Sequence, residues 1–378
     1  MQMIIIGGGI GGLAAAVALK QVGIESVVFE RSPELREVGA GLTLWTNAVK
    51  VLRRLGLGDA VSQISTLLTT AQVRTWNGRL LSQTDLGPIG ERLGAPTIGV
   101  HRADLQRVLA ERVGPGLKLG AAYVGHAVDE SGATVRFADG REDRGDLLIG
   151  ADGIHSKVRE HLFSASKLRY AGYTAWRGVA MIDRPEVPLG STLLTVGRGS
   201  EFGYLPIGHG RTYWFCTARA PEGETDPPGR RKALLLERFA KWYAPVPAVI
   251  DATDEAAILR NDIVDRPPTT NWGVGRVSLL GDSIHPTTPH LGQGAAMAIE
   301  SAFALAKHLS SESDPVKGLR NYEQSRFART AEITNTSRKI GKMLILQNPL
   351  ACWLRDLALR LSSGMTVKQT EKLIGYEV

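Results

Sequence analysis

Residues 3–30 read MIIIGGGIGGLAAAVALKQVGIESVVFE, and this stretch decides the fold. Residues 3–6 are apolar and mostly β-branched, which predicts a buried parallel strand. A glycine-rich turn follows at Gly7–Gly12, after which residues 13–20 predict a helix and residues 27–30 predict a second strand. The stretch is therefore a β-α-β unit, the element from which parallel sheets are built.

The turn has the spacing Gly-x-Gly-x-x-Gly, carried by Gly7, Gly9 and Gly12. Glycines at these positions let the backbone approach a pyrophosphate, and the helix that follows offers free N–H groups and about half a positive charge. Glu30 ends the second strand, where a carboxylate accepts hydrogen bonds from ribose hydroxyls. In this context the motif predicts a dinucleotide site. It leaves open whether the ligand is FAD or NAD, and a glycine-rich turn without a ligand has the same pattern.

Two later segments also place a buried strand before polar residues and a helix. Asp152 and Ser156 follow the strand at residues 147–149, and they either belong to a ligand site or only cap the next helix. In the other segment a strand ends at Asp282, and Gly292-Gln293-Gly294 opens an alanine-rich helix after a proline-rich loop. A carboxylate at a strand end binds a polyol chain, and a helix N-terminus beside it stabilises an anionic ring. This segment predicts a second ligand-facing helix start, or one more capped helix.

Composition and charge exclude several classes of protein. The chain has 378 residues and a formal net charge of +7 but no run of five basic residues, so nucleic-acid binding is not expected. Its cysteines, Cys216 and Cys352, are too few for a disulfide framework or a cysteine zinc site, which favours a reducing, cytoplasmic compartment. The apolar N-terminus lacks a positive flank and no apolar run reaches about 18 residues. Neither a signal peptide, an integral membrane segment nor a metal site is predicted.

Taken in order, the three motifs resemble those of the FAD-dependent aromatic hydroxylases, the group A flavoprotein monooxygenases. The resemblance spans residues 1–340 and includes Arg102 in the segment HRADL at residues 101–105. The nearest similarity is to bacterial FAD-dependent urate hydroxylases and to salicylate hydroxylases. The implied fold class is α/β, with a Rossmann-like FAD-binding domain interleaved with a β-rich antiparallel substrate domain and a helical C-terminus.

The resemblance also implies how the chain is divided. The FAD-binding domain is discontinuous and takes residues 1–72, 98–168 and 270–340. The substrate domain takes residues 73–97 and 169–269, and the C-terminal helices take residues 341–378. Strands are predicted at residues 174–176, 192–196, 203–205 and 212–216. Further predictions are a hairpin that turns at Asp139-Gly140, a helix over residues 295–309, and helices from 322 to 373 with a break at Asn348-Pro349.

By this resemblance a defined set of residues binds the cofactor. Four of them, Gly7, Gly9, Gly12 and Glu30, hold the ADP half of FAD. Asp282 contacts the ribityl chain, and the residues that face the isoalloxazine are Gly292, Gln293, Gly294, Ala295 and Ala296. The remaining cofactor positions are Arg31, Thr43, Arg102, Val124 and Asp152. Asp152 belongs to a family motif associated with both FAD and the nicotinamide cofactor, and Thr43 follows the glycine-rich segment Val38-Gly39-Ala40-Gly41.

The implied activity is hydroxylation of an aromatic or heteroaromatic small molecule. NADPH or NADH reduces FAD, reduced flavin binds O₂ as a C4a-hydroperoxide, and an OH group passes to the electron-rich ring. The expected assembly is a monomer or a homodimer. One alternative is an epoxidase or reductase of the same fold. Another is a membrane-peripheral flavoprotein that docks through the tail at residues 339–361, although packing of the tail on the protein itself explains its apolar residues more simply.

Two residues are candidates for the catalytic side of the site. Tyr213 lies on the predicted substrate sheet, and His290 immediately precedes the flavin-facing helix, where it could act as a general base. There is an alternative interpretation of each residue: Tyr213 as part of the core of the sheet, and His290 as a loop histidine held by backbone hydrogen bonds. The urate hydroxylase branch carries an Arg and an Asp at the positions that align with Glu201 and His290, so urate is not the expected substrate. Three other residues, His285, Trp176 and Tyr204, are expected to pack in the core. Arg177 either pairs with an acidic substrate or lies on the surface.

Overall fold

The computed structural model describes residues 1–35, 40–164, 167–182, 188, 190–361 and 363–378. Val38 and Gly39 of the glycine-rich segment before Thr43 lie outside the described residues. The strands are β1 Gln2–Ile6, β2 Glu25–Phe29, β3 Gly41–Leu44, β4 Ser65–Leu68, β5 Thr70–Thr75, β6 Leu80–Asp85, β7 Thr97–His101, β8 Leu117–Lys118, β9 Tyr123–Val128, β10 Ala133–Phe137, β11 Glu142–Gly145, β12 Leu147–Gly150, β13 Arg169–Met181, β14 Ser191–Val196, β15 Ser200–Pro206, β16 Arg211–Ala218, β17 Leu259–Asp265, β18 Gly273–Val274 and β19 Val277–Leu279.

The α-helices are α1 Ile10–Gln21, α2 Thr46–Arg54, α3 Gly58–Gln63, α4 Leu86–Leu93, α5 Arg102–Val113, α6 Lys157–Phe163, α7 Arg231–Phe239, α8 Pro245–Asp251, α9 Gly294–Ser310, α10 Pro315–Leu344, α11 Pro349–Leu361 and α12 Ser363–Ile374. The predicted helix over residues 295–309 is confirmed as α9. The predicted break in the C-terminal helices is confirmed, since α10 ends at Leu344 and α11 begins at Pro349.

The predicted β-α-β unit forms the centre of a parallel sheet with the strand order β18-β19-β12-β1-β2-β8. All neighbouring pairs in it are parallel except the edge pair β18–β19. The register aligns Ile6 with Phe29 on one side and with Gly150 on the other, and Gly150 with Leu279. The four strands therefore end at one edge of the sheet, and the residues that follow them meet there. Apolar side chains of β1, β12, α1 and α9 form the main core.

A second sheet has the order β17-β13-β16-β15-β14-β5-β6, and it contains all four mid-chain strands predicted from the sequence. It is antiparallel except for the pair β14–β5, because β5 comes from a much earlier part of the chain. One face carries Trp176, Phe202 and Trp214, which form an apolar core with α7 and α8. Since side chains alternate across a strand, the other face carries Tyr213, Phe215 and Glu201.

The α/β fold class with an inserted β-rich sheet and a helical C-terminus is confirmed. The predicted hairpin is also present, because β10 and β11 pair in antiparallel fashion around Asp139-Gly140. The boundaries of the domain division remain a prediction. The other face of the second sheet, which we call the substrate face, is turned toward β3, a strand of the three-stranded sheet β3-β7-β4. The contact between Tyr213 and Gly41 described below demonstrates this.

Candidate cofactor and substrate site

The glycine-rich turn after β1 is shaped by close backbone contacts. Gly7 has φ = +115°, and a Cβ at this position would lie 2.3 Å from the carbonyl oxygen of Ala151. A Cβ at Gly12 would lie 2.0 Å from the carbonyl oxygen of Gly7. In contrast, no atom lies within 4 Å of where a Cβ of Gly9 would be. Gly7 and Gly12 are therefore required by the fold, whereas the space at Gly9 is open to a ligand at the start of α1.

Glu30 is held in place at the end of β2 by two backbone groups. Its Oε2 accepts a hydrogen bond of 2.7 Å from the Gly8 N–H, and its Oε1 accepts one of 2.9 Å from Ser32. Arg31 is exposed beside it. Val124 is also exposed and lies on β9. Just before β9, the Ala121 N–H donates a hydrogen bond to the backbone carbonyl oxygen of Glu30. Glu30 and Arg31 thus follow the carboxyl end of β2, and the cofactor contacts of Arg31 and Val124 remain predictions.

Arg102 and Asp282 provide opposite charges near this edge. Arg102 begins α5, and burial lowers its pKa, while the Asp282 carboxylate raises it and the Arg177 guanidinium lowers it. Asp282 lies in a short 3-10 turn after β19, and its side chain is accessible to solvent. The protein around the carboxylate nevertheless raises the pKa of Asp282, and the charge of Arg102 opposes this rise. A chain of hydroxyl groups placed here would have Arg102 as a hydrogen-bond donor and Asp282 as a hydrogen-bond acceptor.

Asp152 follows β12, and the structure assigns one of its oxygens to the cap of α6. Its Oδ2 accepts hydrogen bonds from the N–H groups of Lys157 at 2.8 Å and Val158 at 3.2 Å. Ser156 accepts a further one of 2.9 Å from the Arg159 N–H. The capping role considered from the sequence is therefore present. Oδ1 of Asp152 is buried and has no partner among the described residues, which leaves it available to a ligand, and burial raises the pKa of Asp152.

The start of α9 lies against β3. Gly292 has φ = +60°, and a Cβ here would lie 3.0 Å from Nε1 of Trp45 and 3.9 Å from Cβ of Thr43. Gln293 is buried, and its Oε1 accepts a hydrogen bond of 2.9 Å from Nδ2 of Asn47. The helix begins at Gly294 without a side-chain cap, and Ala295 and Ala296 form its first turn. Its free N–H groups therefore remain available to a ligand.

This edge of the sheet suits FAD. The open space at Gly9 can take the pyrophosphate, and the pair of Arg102 and Asp282 can take the ribityl chain. At the far end, Nε1 of Trp45 and Nε2 of Gln293 are buried donors with no partner among the described residues. Unpartnered buried donors are costly in proteins, and a bound polar ring would satisfy them.

Tyr213 and Phe215 form an aromatic part of the substrate face, with ring centroids 6.1 Å apart. A Cβ on Gly41 would lie 2.4 Å from Cβ of Tyr213, so this tyrosine packs directly on β3, the strand that carries Thr43. Burial raises the pKa of Tyr213 to about 12, and the Arg177 charge opposes the rise. The tyrosine is therefore protonated near neutral pH and can donate a hydrogen bond.

His290 lies in a 3-10 turn just before Gly292, and its side chain is enclosed. Its Nε2 lies 3.1 Å from Oε1 of Glu201, and the two side chains are each only 1% exposed. Its Nδ1 makes a long hydrogen bond of 3.4 Å with the Tyr173 hydroxyl, and a Cβ at Gly341 would lie 2.6 Å from its ring. The catalytic role predicted for His290 remains a prediction; in this state the imidazole does not face open solvent.

Glu201 and Tyr173 are site residues that the sequence did not single out by chemistry. Glu201 is fully buried on β15, and its Oε1 also accepts a hydrogen bond of 3.0 Å from Thr217. Its Oε2 has no partner among the described residues. Burial raises the pKa of Tyr173, and the Glu201 carboxylate raises it further. The available signal for Glu201 was its alignment with a charged position of the urate hydroxylases.

Other predictions for single residues have clear outcomes. His285 packs in the core as expected: burial lowers its pKa to about 3, and its Nε2 lies 3.2 Å from the Ser301 hydroxyl. Trp176 and Tyr204 are buried in the second core as expected. Arg177 is half-buried: its Nη2 donates a hydrogen bond of 2.7 Å to Oδ1 of Asn261, and its Nε is buried without a partner among the described residues. Pairing of Arg177 with an acidic substrate remains a prediction.

The fold and this sheet edge define a flavin-dependent oxidoreductase. A family model described as "FAD binding domain" matches residues 1–337, and the chain belongs to that family. It is 42% identical over 365 residues to aurachin C monooxygenase/isomerase of Stigmatella aurantiaca, covering 96% of this chain and 95% of that protein. It is 37% identical over 342 residues to FAD-dependent urate hydroxylase of Klebsiella pneumoniae, covering 90% and 89%.

Among solved structures, the crystal structure of Klebsiella pneumoniae HpxO complexed with FAD and uric acid is similar, with a TM-score of 0.94. The sequence identity is 34%, and the match covers 99% of this chain and 96% of that one. The chain is thus a group A flavoprotein monooxygenase that binds FAD, as the sequence motifs indicated.

Proposed function

We propose that this monooxygenase hydroxylates an aromatic or heteroaromatic small molecule, using O₂ as the oxidant and NADPH or NADH as the reductant. The observation that carries the proposal is the packing of Tyr213 on Gly41. This contact brings the aromatic part of the substrate face against β3, whose Thr43 adjoins the start of α9. A planar substrate lying on Tyr213 and Phe215 would therefore lie next to the reactive ring of the cofactor.

When bound, FAD would supply the redox chemistry, and the protein would supply binding and electrostatics. The N-terminus of α9 stabilises negative charge on the ring through its free N–H groups. Tyr213 donates a hydrogen bond to an oxygen or nitrogen of the substrate. The Pro289–Leu291 turn and its buried His290 close the site toward α10 and exclude water from that side.

The buried contact between Glu201 and His290 helps to determine which charge the substrate can carry. The urate hydroxylase branch has an Arg and an Asp at these aligned positions, so the acid lies on the other side of the pair in this chain. A carboxylate on the substrate face, fully buried and with one oxygen unpartnered, repels an anion such as urate. We infer that the substrate is an uncharged heteroaromatic compound, preferably one with an N–H or O–H donor.

A substrate screen tests this function. Purified enzyme loaded with FAD is mixed with NADPH or NADH and a panel of uncharged hydroxylated heteroaromatics, with urate included as the anionic comparison. We expect at least one uncharged compound to accelerate NAD(P)H oxidation and to yield a product heavier by one oxygen atom. With ¹⁸O₂ in place of O₂, that atom should carry the label. A product labelled from water, or acceleration by urate alone, would overturn the proposal.

A further inference from the structure

The helix α11 turns its apolar side away from the protein. Leu350, Trp353, Leu354 and Leu361 are 64%, 57%, 51% and 77% exposed. Their spacing of three, four and eleven residues from Leu350 places them on one face of the helix. We call these four side chains the outer face of α11. An apolar stripe of this kind on a monomer normally marks a surface that contacts something else.

The opposite side of α11 is fixed to the protein by an arginine. Arg355 is buried, and its Nη1 donates hydrogen bonds of 3.0 Å each to the carbonyl oxygens of Gly197 and Leu344. Its Nε and Nη2 bond to the neighbouring Asp356. The inner side of this helix thus carries buried Cys352 and the hydrogen-bonded Arg355, while Leu350, Trp353, Leu354 and Leu361 face outward. The orientation is therefore held by specific bonds and does not result from a loosely attached tail.

Packing of the tail on the protein explains only part of its apolar pattern. Leu344 and Ile345, before α11, are buried, and Leu359 packs on a small cluster with Leu81 and Val196. Trp353 and Leu354 take no part in that cluster. The part of the chain that the structure describes therefore leaves the outer face of α11 largely uncovered.

The charge around α11 indicates which occupant fits. Between residues 339 and 372, the exposed charged side chains are all basic: Lys339, Lys342, Arg360, Lys368 and Lys372. The two acids in this range, Asp356 and Glu371, are partly buried and paired with arginines. Two copies of such a surface would repel each other. An anionic lipid surface complements it, because basic side chains gain from anionic headgroups while tryptophan and leucine enter the interface.

We propose that the outer face of α11 binds the surface of a membrane that contains anionic phospholipid, with the helix lying in the headgroup layer. Within the part of the chain that the structure describes, no helix is long and apolar enough to cross a bilayer, so the contact is interfacial. The anchor of Arg355 at Gly197 lies in the turn between β14 and β15, and β15 carries Glu201.

Liposome flotation of the FAD-loaded enzyme tests this proposal. The probes are vesicles of phosphatidylcholine alone and vesicles that also contain phosphatidylglycerol. We expect the enzyme to float with the mixed vesicles, and to do so less as salt is raised, because screening weakens the basic contacts. The double variant Trp353→Ser/Leu354→Ser should reduce the bound fraction at least tenfold, since it removes the tryptophan and one of the three leucines of the outer face. Lys339→Gln/Lys342→Gln should reduce binding to the mixed vesicles only.

Val274→Ser provides the matched control, because Val274 is 56% exposed on an edge strand of the other sheet. It should float as the unchanged protein does. All variants should retain their bound FAD and their unfolding temperature, which separates lost docking from lost folding. Absence of flotation with either vesicle, or equal flotation of the Trp353→Ser/Leu354→Ser variant, would overturn the proposal. So would light scattering that shows a dimer dissociated by the same double variant.

Discussion

Nε2 of His290 lies 3.1 Å from Oε1 of Glu201, which joins the turn before α9 to the middle of the substrate sheet. The two residues come from different parts of the fold, and both side chains are shielded from water. A contact of this kind couples the position of the substrate sheet to the cofactor end of the site. Its energetic weight can be measured directly.

The first prediction is that Glu201 and His290 are strongly coupled in stability. Glu201→Gln and His290→Asn should each lower the free energy of unfolding by about 1–3 kcal/mol, because each removes one side of a buried polar contact. The double variant should cost less than the sum, with a coupling of about 0.5–3 kcal/mol in urea unfolding. The exposed pair of Arg144 and Asp129 is the control, and it should show little coupling. Additive effects at Glu201 and His290 would contradict the pairing.

The second prediction concerns the side of the pair that carries the acid. The double variant Glu201→Arg/His290→Asp restores the charge arrangement that the urate hydroxylase branch carries at the aligned positions. We expect it to gain urate-stimulated NAD(P)H oxidation, while Glu201→Arg alone should gain none because it leaves a buried Arg without the Asp that would pair with it. Steady-state rates with urate and with the best uncharged substrate measure this change. If the double variant folds, binds FAD and still ignores urate, the pair does not set the substrate's charge.

The sequence predicted the backbone elements at the cofactor end of this site, because the motifs that define them are local. Gly7, Glu30 and the start of α9 need only a strand, a turn and a helix in a row to be placed correctly. The pairing of Glu201 with His290 depends on the register of β15 and on the packing of a distant turn, which no local pattern contains. The outer face of α11 shows a second limit of prediction from the sequence. Periodicity predicts which residues share a helix face, but burial of Arg355 decides which way that face turns.

The third prediction is that Asp282→Ala weakens FAD binding. The change removes an acceptor opposite Arg102, and a hydrogen bond to a charged group contributes about 1.5–3 kcal/mol. The dissociation constant should therefore rise between about tenfold and over a hundredfold, as measured by flavin fluorescence during titration of apoprotein. Asp251→Ala removes a well-exposed carboxylate on α8 and serves as the control with unchanged affinity. Unchanged FAD affinity in Asp282→Ala would refute the placement of the ribityl chain.

The fourth prediction separates a ligand role from a folding role within the glycine turn. Gly9→Val should leave the unfolding temperature of the apoprotein nearly unchanged, because no protein atom lies near its new Cβ, yet it should abolish FAD binding. Gly12→Val should instead prevent folding, since its Cβ would lie 2.0 Å from the carbonyl oxygen of Gly7. Circular dichroism on heating and flavin content after purification distinguish the two. Normal FAD content in Gly9→Val would show that the open space is not the pyrophosphate site.

The last prediction concerns control of flavin reduction by the substrate. After the turn at Gly7–Gly12, the sequence contains no second Gly-x-Gly-x-x-Gly unit for a separate nicotinamide domain. NADPH or NADH must then reach the cofactor across an open surface. A site that was always reducible would consume O₂ and release hydrogen peroxide without a ring to oxidise. Selection against this waste favours a site in which substrate binding shifts the population toward the reducible state.

The structure offers a place for such a shift at Gly292, whose left-handed backbone turns the chain beside Trp45 and Thr43. We expect the true substrate to accelerate anaerobic flavin reduction by at least about tenfold, which equals about 1.4 kcal/mol of coupling. Stopped-flow absorbance with and without substrate measures the two rates. Gly292→Ala, which strains the left-handed turn, should reduce this ratio while leaving FAD bound. Equal reduction rates with and without substrate would refute the gating and leave the hydroxylase function unaffected.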